Sequence, residues 1–346
     1  MENIGTIRLE TKRLNLRLLT PGDAQQMFDH WANDAKVTKY LNWKPYQTVK
    51  DVRNNLSEYQ KNYIDVDYFF WGIEEKVSQQ LIGTISASVA DKTAKVAEVG
   101  YCIGQNWWCK GYTSEALEEV IAYLLEKNDF KRIEAIHDTD NTPSGKVMEK
   151  AGMSYEGTLR QRLVNNRGLV DGVYYAILKK DYISQKAQHQ IYSFLNEANI
   201  SYQLLEHKAV YTINEIDFDI PGISVKNLFL QGKDDFYLLI LTEDKRAILK
   251  TIAQEVGERH LSFASEQKLS QLLHTTQGAV SPLGLLFDKE QKVQLIIDEQ
   301  LPVRGKISFH PNRNDKTLIF DFKDFLTFLT KVNHPPKYIN NRVEGK

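Results

Sequence analysis

Only two cysteines, Cys102 and Cys109, occur in 346 residues. That is too few for a disulfide framework, and neither sits at metal-ligand spacing, so both read as reduced thiols outside the chemistry. The eight histidines are scattered without an H-E-x-x-H or similar pattern, and no metal is called for in either half. Missing too is any apolar run near the ~18 residues of a membrane span, and the start, Met1 to Glu10, lacks the apolar core of a signal peptide. A cytoplasmic protein with no membrane partner is the expectation. Nor is there an excess of one charge: 44 basic residues stand against 45 acidic ones, a balance that holds in each half. A nucleic-acid partner would therefore need a local patch and specific, salt-sensitive contacts.

The length predicts two domains at ~150 residues each. In the first half, strands are expected at Leu14–Leu19, Tyr68–Glu74, Leu81–Ala90, Ala94–Ile103 and Ile133–Ile136, with Met153–Leu159 and Val173–Leu178 closing an α+β unit. Helices are expected after Thr20-Pro21-Gly-Asp23, over Thr48–Tyr59, after Gly111 and over Ser144–Ala151. The charged stretch Lys179 to Lys186 reads as a hinge before a helix at Gln190–Glu197. The boundary is placed at 182/183, giving domains 1–182 and 183–346.

A glycine at a strand-to-helix corner lets the backbone N–H groups of the first turn point outward, where the helix dipole favours a phosphate. Cys109, Lys110, Gly111, Tyr112, Thr113 and Ser114 form such a corner, suited to a pyrophosphate. With Arg13-Leu-Asn-Leu-Arg17, Ala97-Glu98-Val-Gly100-Tyr101 and Asn141-Thr-Pro-Ser144 through Met148 to Gly152, residues 6–182 resemble the GNAT acetyltransferase superfamily, and most closely the branch acting on ribosomal-protein N-termini. The resemblance implies a mixed, mostly antiparallel sheet flanked by helices. It implies acetyl-CoA as co-substrate, with the pyrophosphate on the amides of 109–114 and Asn141 and Ser144 on the cofactor side. Two departures are Thr113, where Gly or Ala is usual, and Met148, where many members carry a tyrosine acid. Glu98, on the strand before the loop, is the candidate base, since acyl transfer needs a neutral amine and a carboxylate can relay its proton through water. His137 and Tyr155 are alternatives, and the other reading of Glu98 is a solvated strand residue.

The second half puts one cation into an apolar strand, Val225-Lys226-Asn227-Leu-Phe-Leu230. Alternation makes Lys226 edge-facing or pocket-facing, in need of an anionic or carbonyl partner such as a nucleotide phosphate or an ester. Gly278-Ala279-Val-Ser281-Pro282 is a turn in which Gly permits positive φ and Pro removes a donor, so that it presents backbone groups. Together with Leu205-Glu-His207-Lys208 on to Thr212, Leu261 to Ser265, Ile296 to Asp298 and Phe309-His310-Pro-Asn-Arg313-Asn-Asp315, these blocks resemble the YbaK/prolyl-tRNA-synthetase-associated family over roughly 190–335. The branch most alike deacylates alanine mischarged onto proline tRNA. One departure is Lys208, where proline commonly follows the histidine.

That resemblance implies an α/β editing domain with neither metal nor covalent intermediate. Lys226 would hold the terminal adenosine's phosphate or the ester carbonyl, and the backbone from Gly278 to Pro282 would hold the aminoacyl group and orient water. Asn227, Ala279, Ser281 and His310 would line the pocket. Ser281 reads more simply as a turn residue than as a nucleophile, His310 equally as a hydrogen-bonded strand-end histidine, and Arg313 either as a tRNA contact or as the partner of Asp315. The expected whole is a two-domain α+β enzyme, an acetyl-CoA-dependent N-acetyltransferase joined to a hydrolase of Ala-tRNA(Pro), with a protein N-terminus among the acceptors considered. The alternatives are an editing domain that only binds tRNA or acts on another mischarged tRNA, and an acetyltransferase for a small-molecule amine.

Overall fold

The computed structural model describes residues 3–207, 221–223, 225–301 and 305–340. Lys208 and the block from there to Thr212 lie outside the described residues. The chain divides into two compact units, Met1–Lys179 and Lys180–Lys346.

In the first unit β1 (Leu9–Glu10) and β2 (Leu14–Arg17) precede a helical segment: α1 (Ala24–Met27), α2 (Ala35–Thr38) and α3 (Val49–Asn62). The helix expected after Thr20-Pro21-Gly-Asp23 is broken up, a 3-10 turn at Pro21–Asp23 and a π turn at Phe28–Ala32 flanking the short α1. Those irregular turns seat Leu19, Met27, Trp31 and Ala32 in one core with Val52 and Leu56 of α3. α3 opens where expected, the Thr48 hydroxyl accepting the Asp51 N–H at 3.2 Å.

Next come β3 (Phe69–Glu75), β4 (Leu81–Asp91), β5 (Val96–Ile103), α4 (Tyr112–Lys127), β6 (Arg132–Asp138), α5 (Thr142–Lys150), β7 (Ser154–Asn165) and β8 (Gly168–Leu178). The sheet order is β1-β2-β3-β4-β5-β6-β8-β7. β5 and β6 run parallel, which requires a crossover, and α4 supplies it with Ala116, Leu117, Val120, Ile121 and Leu124 buried. The β5–β6 pairing runs from Val96 beside Arg132 to Val99 beside Ala135. Both strands continue, to Ile103 and Asp138, so beyond Val99 they splay and open the sheet.

The second unit takes in α6 (Lys179–Glu197), β9 (Gln203–Glu206), β10 (Val225–Gln231), β11 (Phe236–Thr242), α7 (Leu249–Val256), β12 (Ser262–Phe263), α8 (Glu266–Leu273), β13 (Val293–Asp298), β14 (Lys306–Phe309), β15 (Lys316–Asp321), α9 (Phe322–Lys331) and β16 (Lys337–Ile339). The expected hinge at Lys179–Lys186 is instead the first two turns of the 19-residue α6. Its charges suggested a linker, but Ser184, Ala187, Gln188, Ile191 and Leu195 form a buried stripe at helical spacing, and burial decides over charge density.

A five-stranded sheet, β12-β10-β11-β13-β16, stands beside a three-stranded one, β14-β15-β9. One face of the larger sheet carries Phe229, Leu238, Ile240, Leu295 and Ile297 into a core shared with Ile191, Phe309, Phe320 and Phe325. The other carries Leu230, Tyr237, Leu239, Leu241 and Ile296 against Ile252 and Ala253 of α7. Burial on both faces explains the unbroken apolar run of β11, which does not alternate as a half-exposed strand would.

Candidate functional site

In the first unit Gly111 caps the N-terminus of α4 in the left-handed region, φ 78° and ψ 6°, and no side chain caps the helix there. Cys109, two residues before, is left-handed as well at φ 60°. Left-handed residues at an uncapped helix start turn consecutive N–H groups toward an anion. Thr113 and Ser114 are buried and the Tyr112 hydroxyl bonds Glu75, while Cys109 and Lys110 are exposed. Arg13 braces it. Its Nη1 donates to the Lys110 carbonyl at 2.9 Å, its Nε to Glu115 at 2.6 Å, and its guanidinium lies 4.4 Å from the Tyr112 ring centre. A Cβ on Gly111 would stand in ordinary contact, 3.5 Å, with Arg13 Nη2, so what favours glycine at 111 is its positive φ.

Asn141 and Ser144 mark the start of α5, and Ser144 is tied to β5 through the Tyr101 hydroxyl, 2.9 Å from its Oγ and 3.0 Å from its carbonyl. Glu98 lies on the strand face opposite Ala97 and Val99, beside Ser88 on β4 and Glu134 on β6. Burial raises its pKa above the ordinary carboxylate value and the Glu134 charge adds to this, with Arg162 opposing. Met148 is a buried core residue with no proton to donate. His137 Nδ1 is 2.8 Å from the Asp138 carbonyl, and its Nε2 occupies the space a Cβ on Gly145 would need, a packed histidine. Tyr155 is exposed and bonds Thr158.

A second feature lies at the end of β6. Buried Asp138 accepts from Asn165 at 2.8 Å and from Arg167 at 2.7 Å, and Asn166 donates to the Thr38 and Trp43 carbonyls at 2.9 and 2.7 Å. The tip of the β7–β8 hairpin is thereby fastened to the chain after α2. The only signal in the sequence is the turn-forming Asn-Asn-Arg-Gly run at 165–168.

In the second unit Lys226 pairs across β10 and β11 with Leu241, and Asn227 with Ile240. Lys226 therefore shares a sheet face with Leu228 and Leu230, toward α7. Asn227 shares the other with Val225 and Phe229, the face on which Val280 and Leu283 also pack. The register thus brings Asn227 to the side of the Gly278–Pro282 loop and places Lys226, second in its strand, on the opposite face. Its ammonium donates to the Lys245 carbonyl at 3.2 Å. The Asn227 Oδ1 is buried and has no hydrogen-bond partner among the described residues.

Gly278 has φ 91°, as a turn glycine should, and Pro282 opens a 3-10 turn over Pro282–Phe287. Ala279 is buried, its N–H on the Thr276 carbonyl at 3.1 Å and its carbonyl taking the Thr275 hydroxyl at 3.0 Å. Ser281 is fully buried, and its Oγ accepts the Leu283 N–H at 3.2 Å, which makes it a cap. Asn312, buried at φ 58°, staples the preceding segment by donating to the Leu273 and His274 carbonyls at 2.7 and 3.2 Å.

His310 Nδ1 lies 2.8 Å from the Lys316 carbonyl. A carbonyl only accepts, so Nδ1 carries the hydrogen and Nε2 is left as an acceptor. Burial lowers the His310 pKa, and His207, whose ring centre is 5.9 Å away, lowers it further. Arg313 makes a two-point pair with Asp315, 3.0 and 2.6 Å.

Residues 13–154 match the family model of the acetyltransferase (GNAT) domain, and residues 207–328 that of the aminoacyl-tRNA editing domain. The second half is 38% identical over 152 residues to the prolyl-tRNA editing protein ProX of Acetoanaerobium sticklandii, covering 42% of this chain and 92% of that protein. The first is 32% identical over 174 residues to the uncharacterized N-acetyltransferase p20 of Bacillus licheniformis, covering 50% of this chain and 97% of that one. It is 33% identical over 171 residues to the uncharacterized N-acetyltransferase YoaA of Bacillus subtilis strain 168, covering 49% and 96%. The chain belongs to the GNAT acetyltransferases by its first unit and to the aminoacyl-tRNA editing family by its second. Both family resemblances and the two-domain α+β class are borne out. The α4 corner and the β5–β6 splay lie within the matched span of the acetyltransferase unit, and Lys226, the Gly278–Pro282 loop and His310 within that of the editing unit. No helix among the described residues is long and apolar enough to cross a membrane.

Proposed function

We propose that this chain is a bifunctional enzyme, an acetyl-CoA-dependent N-acetyltransferase and a trans-editing hydrolase that removes alanine from mischarged proline tRNA. The observation that carries this reading is that each unit matches nearly the whole length of a free-standing relative, one of them named as a prolyl-tRNA editing protein. Both proposed substrates belong to the cytosol, and so does the proposed enzyme.

Acetyl-CoA, when bound, supplies the acetyl group as a thioester. In this reading the amides from Cys109 to Ser114 take the pyrophosphate, Arg13 steadies the corner, and Asn141 and Ser144 flank the cofactor. The acceptor nitrogen bonds the acetyl carbon as the C–S bond breaks, Glu98 takes the amine proton through water, and CoA leaves as the thiolate, which takes its proton from solvent. The proposed acceptor is an α-amino group at a small N-terminal residue, in keeping with the ribosomal-protein branch that the sequence resembles.

An aminoacyl ester is already activated, so its hydrolysis needs a placed water and a held oxyanion more than a strong nucleophile. Water oxygen bonds the carbonyl carbon, the bond to the ribose oxygen breaks, and that oxygen takes a proton, leaving alanine and free tRNA. Lys226 holds the terminal phosphate or the carbonyl. The Gly278–Pro282 backbone, with Asn227, Ala279, Ser281 and His310 around it, holds the aminoacyl group. The biological need is energetic: a pocket shaped for proline rejects smaller alanine by only ~1–3 kcal/mol, and a second, smaller pocket supplies the missing discrimination.

Deacylation of Ala-tRNA(Pro) measured beside Cys-, Ser- and Pro-charged tRNA tests the reading. Preference for alanine is expected, with Lys226→Ala lowering the rate at least about a hundredfold and sparing acetyl transfer. Near-normal hydrolysis in that variant removes Lys226 from the mechanism, and tRNA binding without turnover in the unaltered protein reduces the unit to a binding module.

A further inference from the structure

Lys226 does not hold itself. A lysine side chain has four rotatable bonds and loses much entropy when fixed. Here its hydrogen-bond partner among the described residues is a neutral backbone oxygen, the Lys245 carbonyl at 3.2 Å, and the Asp244 carboxylate of the same turn is near enough to feel its charge. That carbonyl belongs to the turn leaving β11, closed by the Lys245 N–H on the Thr242 carbonyl at 3.1 Å.

The Lys245 side chain runs to the neighbouring strand. Its Nζ meets both carboxylate oxygens of Asp298, the last residue of β13, at 3.0 and 2.9 Å. The Asp298 side chain is 1% exposed and that of Lys245 22%. β11 and β13 are parallel with Ile240 beside Ile297, so the ion pair pins the turn to the end of the adjacent strand. Asp298 is occupied further by the Gln300 N–H at 2.8 Å. One residue thus presents a charge to the buried carboxylate and a carbonyl to Lys226.

We propose that the Lys245–Asp298 ion pair is a positioning device for Lys226 in deacylation, fixing the carbonyl that aims its ammonium. The proposal rests on the reading of Lys226 as the group that holds substrate. Neither Lys245 nor Asp298 touches substrate in this scheme, and both act through the turn.

The test compares Asp298→Asn and the doubly neutral Lys245→Gln/Asp298→Asn, which leaves no unpaired buried charge, with the unaltered chain and with Lys245→Arg, which keeps the pair. Single-turnover and steady-state deacylation of Ala-tRNA(Pro) should show kcat falling about 10- to 100-fold with KM little changed, and Lys245→Arg restoring most of it. Acetyl transfer by the same preparations should be unchanged. Trace acetic-anhydride labelling read by peptide mass spectrometry should show Lys226 modified severalfold faster in the pair-breaking variants, with other lysines of the editing unit unaltered. A merely structural pair would not single out Lys226. If Asp298→Asn fails to fold, the doubly neutral variant gives the comparison. Full activity there, or a fallen rate with Lys226 labelling unchanged, overturns the proposal. Full activity in Lys226→Ala, seen without touching the pair, identifies the failure as that of the underlying reading.

Discussion

Glu98 shows how one environment sets both reactivity and stability at a single residue. Burial and the neighbouring Glu134 raise its pKa. A base must be deprotonated, so kcat/KM for acetyl transfer should fall as pH drops through that raised pKa, at a higher pH than an ordinary carboxylate would give. Glu98→Gln should lower kcat/KM by about 100-fold and abolish this acid limb, since general-base catalysis contributes 10²–10⁴-fold. A pH–rate profile that keeps its limb in the variant would transfer the role elsewhere. For stability the sign is opposite: a carboxyl whose folded pKa exceeds its unfolded one supports the fold at low pH and loses that contribution as pH rises through the folded value. The glutamine variant should therefore melt no lower than the native protein at neutral pH. At Gly111 the demand is conformational. With φ 78°, Gly111→Val strains the corner and with it the direction of its amides. Acetyl-CoA affinity by calorimetry should drop at least about tenfold, with deacylation intact. Unchanged affinity would move the pyrophosphate away from residues 109–114.

At the scale of elements, the staple at Asn312 deserves separation into its two causes. Asn312→Ala puts an alanine at φ 58°, which costs about 1–2 kcal/mol, and leaves two buried carbonyls without their donor, about 1–3 kcal/mol more. Asn312→Gly removes the first cost and keeps the second. The editing unit should melt lowest in the alanine variant, with glycine between it and the native protein, and equal melting of the two variants would assign the whole effect to the lost hydrogen bonds. Such elements were unequally legible in the sequence. Strands β3 to β6 and helices α3 and α4 fall where periodicity and capping put them, because their signals are local: Thr48 before α3, Gly111 before α4. The Lys226 strand was legible for the same reason, one cation in an apolar run. What holds these residues was not. Arg13 meets Glu115 across 102 positions and Lys245 meets Asp298 across 53, and no local pattern announces a contact that only the folded sheet creates. In α6 the surface charges are conspicuous while the buried stripe begins with small and polar residues, Ser184, Ala187 and Gln188, which carry no apolar periodicity.

For the whole molecule, α6 decides where the chain can be cut. A flexible hinge at Lys179–Lys186 would let the second enzyme begin near residue 190 at no cost. The helix instead starts at Lys179, and its Ile191 and Leu195 belong to the main core of the second unit. A fragment 180–346 keeps all but the first residue of α6, a helix long enough to persist. A fragment 190–346 retains only its last eight helical residues, and so short a helix depends almost wholly on tertiary packing. The first fragment should deacylate Ala-tRNA(Pro) within about threefold of the full chain, while the second should lose at least about 2 kcal/mol of stability from exposed core surface and missing helix. Denaturant titration of the two fragments measures the difference, and activity at a temperature below both transitions separates stability from chemistry. Equal midpoints would restore Lys179–Lys186 to the status of a linker. Distinct midpoints would show that residues 180–189 are structural to the second unit.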